Sequence, residues 1–72
     1  MHDVELSDFV TIAPNAVLLG NVKIGYKCYI GANSTILPNI SICDNVIVGA
    51  GSVVTKDIKE AGKYAGAPAR KI

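Results

Sequence analysis

The sequence predicts an all-β protein that winds as a parallel β-helix, and two observations carry the prediction. The first is a ladder of nine aliphatic residues spaced six apart: Leu6, Ile12, Leu18, Ile24, Ile30, Ile36, Ile42, Val48 and Val54. The second is a set of asparagines that repeats with the same period. A period of six is typical of parallel β-helices, and it fits neither an amphipathic helix nor one long alternating strand. The chain is therefore expected to repeat a short strand and a turn.

The interior of the predicted helix follows from the hexad positions, counted with each ladder residue as position 1. Position 2 is mostly small and position 5 is small or aliphatic, as in Gly31 and Ser34. If three hexads form one triangular coil, residues 18 apart stack in chemically uniform columns such as Leu6–Ile24–Ile42. The nine hexads of residues 6–59 then make about three coils, which is near the minimum for a stable repeat array.

Turns are predicted at hexad position 4, which asparagine and glycine dominate. This position holds Asn15, Asn21, Asn33, Asn39, Asn45 and Gly51. Asparagine and glycine tolerate a positive φ most readily, so each short strand is expected to end in a turn at these residues. Proline precedes Asn15 and Asn39, and a Pro–Asn pair is typical of the centre of a type II turn.

The domain organisation is predicted to be one domain, with β-helix coils over residues 1–60 and a C-terminal tail over residues 61–72. An ordinary β-sandwich is the alternative fold, but it would not keep one residue class in strict sixfold phase from Leu6 onward. The 72 residues include only Phe9 and three tyrosines as aromatics. A chain so short of large side chains is expected to gain stability from oligomerisation.

Composition excludes several classes of function. The net charge of +1 does not favour bulk electrostatic binding of nucleic acid, and no apolar run is long enough to insert into a membrane. The absence of a signal peptide and the presence of Cys28 and Cys43 predict a cytoplasmic protein with free thiols. One histidine and no CxxC pair predict no metal, which excludes a γ-class carbonic anhydrase. The threonines form no rank of the kind that an ice-binding β-helix needs.

Charge is uneven along the chain. Residues 1–55 hold two lysines and four acidic residues, a net of −2, whereas residues 56–72 hold five basic and two acidic residues, a net of +3. The basic C-terminal segment is suited to a phosphorylated ligand, although such segments are often merely solvated.

Three groups of residues resemble a known family. Ile24-Gly25-x-x-Cys28, Ile30-Gly31-x-x-Ser34 and Val48-Gly49-Ala50-Gly51-Ser52 resemble the hexapeptide repeats of left-handed β-helix acyltransferases. The ending Gly66-Ala67-Pro68-Ala69-Arg70-Lys71-Ile72 looks like the G-x-P-A-(K/R)-x-(I/M) tail of that superfamily. The stretch from His2-Asp3 through Leu19-Gly20-Asn21-Val22 most resembles the sialic acid O-acetyltransferases and bacterial nucleotide-amino-sugar N-acetyltransferases. The chain resembles their C-terminal part.

This resemblance implies a left-handed β-helix that forms a homotrimer and uses acetyl-CoA to acetylate an amino or hydroxyl group of a sugar, which can be nucleotide-linked. It implies that His2 is the general base and that the backbone N–H of Gly20 faces the oxyanion. The residues implied for CoA are Gly31, Ala32, Gly49, Ala50, Gly51, Lys56, Lys63 and Arg70. Thr11 stands where several members carry a second histidine that contacts the acceptor, so Thr11 is the expected substrate contact.

The sequence also departs from the family in ways that leave an alternative open. Met1 precedes His2 where members usually have an acidic residue, and the nucleotide-fold domain and further coils that members carry upstream are not in this sequence. The alternative function is therefore a truncated, non-catalytic trimeric β-helix that keeps the fold and at most binds CoA.

Overall fold

The computed structural model describes residues 4–72, and every regular element in that range is a β-strand. Most strands have two residues, because a turn interrupts the chain in each hexad. The strands are β1 (Glu5–Leu6), β2 (Thr11–Ile12), β3 (Val17–Leu18), β4 (Lys23–Ile24), β5 (Tyr29–Ile30), β6 (Thr35–Ile36), β7 (Ser41–Ile42), β8 (Val46–Val48), β9 (Val53–Val54), β10 (Gly62–Ala65) and β11 (Arg70–Lys71). No helix in this range is long and apolar enough to cross a bilayer.

The strands form three sheets that are the sides of a triangular prism. The first sheet contains β1, β4 and β7, the second contains β2, β5, β8, β10 and β11, and the third contains β3, β6 and β9. Strands in successive coils pair in parallel with an offset of 18 residues, as in Leu6↔Ile24 and Ile24↔Ile42. The predicted left-handed parallel β-helix of about three coils is thereby confirmed, together with the stacked columns of ladder residues.

The turns lie at hexad position 4, as the asparagine repeat predicts. All five asparagines at this position and Gly51 have φ values between 60° and 69°. Phe9 and Lys27 occupy the same position in their hexads and also have positive φ, 62° and 57°. Residue preference alone does not predict a left-handed conformation for these two side chains.

The core consists of the ladder residues and the position 5 residues of the stacked coils. Its buried apolar members are Val22, Ile24, Cys28, Ile30, Ile36, Ile40, Ile42, Val46, Val48, Val54 and Ile58. The side chain of Leu6, at the N-terminal end of its column, is 50% exposed, compared with 2% for Ile24 and 3% for Ile42. Within residues 4–72 the first coil contacts a neighbouring coil on one side only, which explains its greater exposure.

The strict register changes within the ninth hexad. Ile58 bridges Ile42, and Tyr64 pairs with Val48, so the offset falls from 18 residues to 16. Strand β10 thereby becomes a fourth parallel strand of the second sheet, and β11 pairs antiparallel with β10. The division at residues 60 and 61 into coils and tail stays a prediction.

Gly31 is expected to be indispensable for coil stacking. A Cβ atom on Gly31 would lie 2.6 Å from the Ala50 backbone nitrogen and 2.7 Å from the Val48 carbonyl oxygen. Backbone atoms of a hydrogen-bonded coil cannot move aside cheaply, so Gly31→Ala should lower the free energy of unfolding by about 3 kcal/mol, at the upper end for overpacking. Urea unfolding followed by circular dichroism measures this loss.

The control for this substitution is Gly49→Ala, one coil further along the same face. A Cβ atom on Gly49 would lie no closer than 3.3 Å to another atom, the Ala65 Cβ. Gly49→Ala should therefore cost clearly less than Gly31→Ala. Equal losses would show that the approach of the next coil does not dictate the glycine at position 31.

Candidate functional site

The N–H group at hexad position 3 takes no part in the backbone hydrogen bonds of the coils. Position 2 donates to the next coil and position 4 donates to the preceding one, as in Asn39 N–H to Gly20 C=O at 2.8 Å. Within residues 4–72, no position 3 N–H donates to a backbone carbonyl. Two position 3 residues, Pro14 and Pro38, have no N–H at all. Where another residue stands, its N–H is left for a side chain or for a ligand.

A side-chain contact shows that these N–H groups reach outward. The N–H of Tyr26, at position 3 between the first and second sheets, donates to the exposed Asp44 carboxylate at 2.8 Å. The N–H groups of Gly20, Ala32 and Ala50 have no acceptor among residues 4–72. Each is therefore a backbone donor that can bind an acceptor outside the coil.

The N–H groups of Gly20, Ala32 and Ala50 border the third sheet, as does that of Lys56, which also has no acceptor among residues 4–72. Ala32 and Ala50 precede β6 and β9 at the corner between the second and third sheets. Gly20 follows β3 at the opposite edge of the third sheet. Gly20 and Ala32 are partly exposed and Ala50 is exposed. The structure thus places Ala32 and Ala50 in one corner and Gly20 across the third sheet from them, and the roles that the family resemblance implies for these residues stay predictions.

The Gly49–Ala50–Gly51 turn is held rigidly from inside and is open outside. The fully buried hydroxyls of Ser34 and Ser52 both donate to the Gly49 carbonyl, at 2.9 and 2.7 Å. The Gly51 N–H donates to the Ala32 carbonyl at 2.8 Å. Gly51 has a φ of 69°, and no atom lies within 4 Å of the place where its Cβ would be. A ligand can approach this backbone without meeting a side chain.

Gly31 occupies a different environment from the other proposed CoA residues. It is buried, and the next coil crosses directly over it. Coil stacking therefore accounts for this glycine, and its role in cofactor binding stays a prediction. Gly49 is partly exposed and does not carry this constraint.

Thr11 lies on another side of the prism. It begins an outward-facing column of the second sheet that continues through Tyr29 and Ile47 to Lys63. All four residues are exposed. Within one chain, Thr11 is therefore separated from Gly20, which lies at the far edge of the third sheet.

The basic residues predicted for CoA lie towards the C-terminal end. Lys56, Lys63 and Arg70 are exposed, and none of them forms an ion pair with another residue of 4–72. The nearby Lys71 is engaged with Glu60 at 3.1 Å. These three predicted cations are therefore available to a phosphorylated ligand at this end of the helix.

Two further predictions concern reactive side chains. His2 lies outside the described residues, so its role as general base stays a prediction from the family resemblance. Burial raises the pKa of the Cys28 thiol, whose Sγ lies 3.0 Å from the Cys43 carbonyl oxygen. A buried thiol of raised pKa is a poor nucleophile, which fits a core position.

Within residues 4–72, no three histidine, cysteine or acidic side chains form a metal-binding group.

Comparison with known families agrees with this geometry. Residues 21–56, half of the chain, match the family described as "Hexapeptide repeat of succinyl-transferase". Residues 3–36 match "Bacterial transferase hexapeptide (six repeats)". The chain belongs to the hexapeptide-repeat transferase family. The predicted family is confirmed, whereas no curated protein sequence is a significant match.

Solved structures of acetyltransferases share the fold of this hexapeptide-repeat chain. The acetyltransferase domain of PglB from Neisseria gonorrhoeae is 37% identical with a TM-score of 0.96, over 99% of this chain and 35% of that one. A variant of perosamine N-acetyltransferase from Caulobacter crescentus, in complex with CoA and GDP-perosamine, is 31% identical with a TM-score of 0.92, over 94% and 32%. A maltose O-acetyltransferase from Clostridium difficile is 39% identical with a TM-score of 0.90, over 96% and 46%. The chain thus spans less than half the length of each.

Proposed function

We propose that this chain is the β-helix part of an acetyl-CoA-dependent acetyltransferase that modifies an amino or hydroxyl group of a sugar, including nucleotide-linked sugars. The observation that carries the proposal is that the N–H groups of Gly20, Ala32 and Ala50 border the third sheet and have no acceptor among residues 4–72. Support comes from the PglB domain, which has been solved with acetyl coenzyme A, and from the perosamine enzyme solved with CoA and a nucleotide sugar.

The residues of the chain fit the chemistry of acetyl-CoA, the acetyl donor. Acetyl-CoA supplies the acetyl group as a thioester at the end of an amide-containing arm that carries phosphates. The N–H groups of Ala32 and Ala50 would donate to acceptors on the arm, which the bare backbone of Gly49 and Gly51 lets approach closely. The amine of Lys63 and the other exposed cations, Lys56 and Arg70, would hold the phosphates.

Two groups would carry out the transfer. His2 would remove a proton from the attacking amino or hydroxyl group, a contribution that is typically worth about 10²–10⁴-fold in rate. The Gly20 N–H would donate to the oxygen that gains negative charge in the transition state. His2 precedes Gly20 by 18 residues, the offset between stacked strands such as Leu6 and Ile24, and this spacing supports the assignment of both residues to one site.

A homotrimer would complete the site. Thr11 and Gly20 lie on different sides of one prism, so Thr11 would contact an acceptor bound at Gly20 only on a neighbouring copy. The small core of the chain also favours association, because a domain of this size buries a small fraction of its surface.

Titration calorimetry with acetyl-CoA, followed by a thiol-release assay with amino-sugar acceptors, tests the proposal. Binding with turnover is the expected result. Binding without turnover would favour the non-catalytic β-helix that retains CoA binding alone, and no binding would overturn both functions. Lys63→Gln should weaken binding of acetyl-CoA. The matched control is Lys23→Gln on the first sheet, which removes the same charge from a different side and should leave binding unchanged.

A further inference from the structure

Phe9 occupies a position that its side chain does not favour. It has a φ of 62° at hexad position 4, where the other left-handed residues are asparagine, lysine and glycine. A bulky aromatic residue is rarely found in this conformation, because its Cβ crowds the backbone. Asn45, in the same corner two coils above, shows the residue type that the turn prefers. The turn itself therefore does not account for phenylalanine.

Packing within the chain does not account for Phe9 either. Its side chain is 74% exposed. It meets the ring of Tyr26 edge to face, with centroids 5.7 Å apart and an interplanar angle of 77°. The Lys27 amine lies 5.4 Å from the same Tyr26 ring. An aromatic residue in an unfavourable backbone conformation that gains so little burial is expected to have a partner outside the chain.

Phe9 belongs to an exposed strip that runs along the helix. The strip consists of Phe9, Tyr26, Tyr29 and Ile47, and the last three side chains are 39–43% exposed. It spans three coils at the corner of the first and second sheets and on the outer face of the second. The outward column of the first sheet is polar instead, with Glu5, Lys23 and Ser41.

The strip has a counterpart in an outward column on another face of the chain, which indicates a second copy of this chain as its partner. Stacked coils place side chains at the strand spacing of about 4.8 Å, and a parallel β-helix presents the same spacing to its neighbour. The third sheet offers the complementary column, Val17, Thr35 and Val53, of which Val17 is 47% exposed. Contact between two different faces of identical chains closes into a ring when the rotation allows.

We infer that Phe9 is the anchor of this contact, and that its ring packs beside β3 of a neighbouring copy. In a ring whose axis is parallel to the helices, equivalent coils meet at the same level. Phe9 and Thr11 of one copy would then face the first-coil residues Val17 and Gly20 of the next. The inference rests on the proposed homotrimer and names the surface that brings Thr11 to the neighbouring site.

Phe9→Asn tests the inference, because asparagine suits the turn and removes the anchor. The variant should fold with circular dichroism like that of the wild type, while its dissociation constant for assembly rises about 30-fold or more, as for a central aromatic contact. Sedimentation equilibrium at several concentrations measures the assembly. Lys27→Asn, the same change at the same corner one coil above, is the control and should shift assembly little, since lysine is rarely a central contact.

The inference would be overturned if Phe9→Asn left the dissociation constant for assembly unchanged, or if Lys27→Asn weakened assembly as much as Phe9→Asn does. The acetyl-CoA assay separates this result from failure of the proposed function. If the wild-type protein turns over acetyl-CoA and Phe9→Asn still assembles fully, the proposed function is retained and Phe9 is not the anchor of the contact. If Phe9→Asn dissociates and the wild-type protein binds no acetyl-CoA, the result supports Phe9 as the anchor of the contact and contradicts the proposed function.

Discussion

Gly20→Pro is expected to lower kcat about 10²–10³-fold, the usual cost of losing one oxyanion donor, while the protein keeps its fold. The proline removes the N–H that would bind the developing oxyanion. The coil tolerates proline at this position, because Leu37–Pro38–Asn39 stands one coil above Leu19–Gly20–Asn21 with the same flanking residues. No described hydrogen bond within the chain is lost, since the Gly20 N–H has no acceptor in residues 4–72.

Stability and activity should move in opposite directions in this variant. Proline restricts the unfolded chain, so a compatible site gains about 0.4–1 kcal/mol in the free energy of unfolding. Thermal unfolding and steady-state acetyl transfer measure the two quantities. Gly20→Ala keeps the N–H and is the matched control, with activity expected near that of the wild type. Equal activity of the proline and alanine variants would remove Gly20 from the proposed mechanism.

His2→Ala is expected to lower kcat/KM about 10²–10⁴-fold, because no other group would take the acceptor's proton as it attacks. The sequence contains a single histidine, so no second imidazole can substitute for it. The acidic limb that an imidazole base gives to the pH–rate profile should disappear with the side chain. Initial rates of thiol release across the pH range measure both effects.

Binding of acetyl-CoA is the internal control for His2→Ala. The residues proposed to bind acetyl-CoA, such as Ala32 and Ala50, lie in the second and third coils. Calorimetry of His2→Ala should therefore show an unchanged dissociation constant for acetyl-CoA. Unchanged turnover in His2→Ala would exclude His2 as the base. Loss of binding together with turnover would assign His2 to binding rather than to proton transfer.

The coil architecture was predictable from sequence because each hexad repeats the same local physics. A ladder residue such as Ile30 must point inward in every coil, and a residue such as Asn33 must turn the chain at a corner of the prism. Parallel stacking then follows from the chemical identity of residues 18 apart, and the observed pairing of Ile12 with Ile30 agrees. The repetition supplied many independent indications of one answer, which is rare in a chain of this length.

Features that break the repeat were not predictable in the same way. Phe9 and Lys27 adopt positive φ because the coils on either side of the turn determine its conformation, whatever residue is present. The register shift at Ile58 and the strand at Gly62–Ala65 depend on which edge of the second sheet remains open. These outcomes are set by the neighbouring coils rather than by local preference.

The sequence by itself determined the helix, its coils and its family, because period and motif are properties of the chain alone. The tertiary structure decided which groups are free and which face they border. The N–H groups of Gly20, Ala32 and Ala50 are donors without described partners only because neighbouring coils satisfy positions 2 and 4 and bypass position 3. Whether a backbone donor is free depends on the atoms stacked above and below it, and only the folded coils bring those atoms into place.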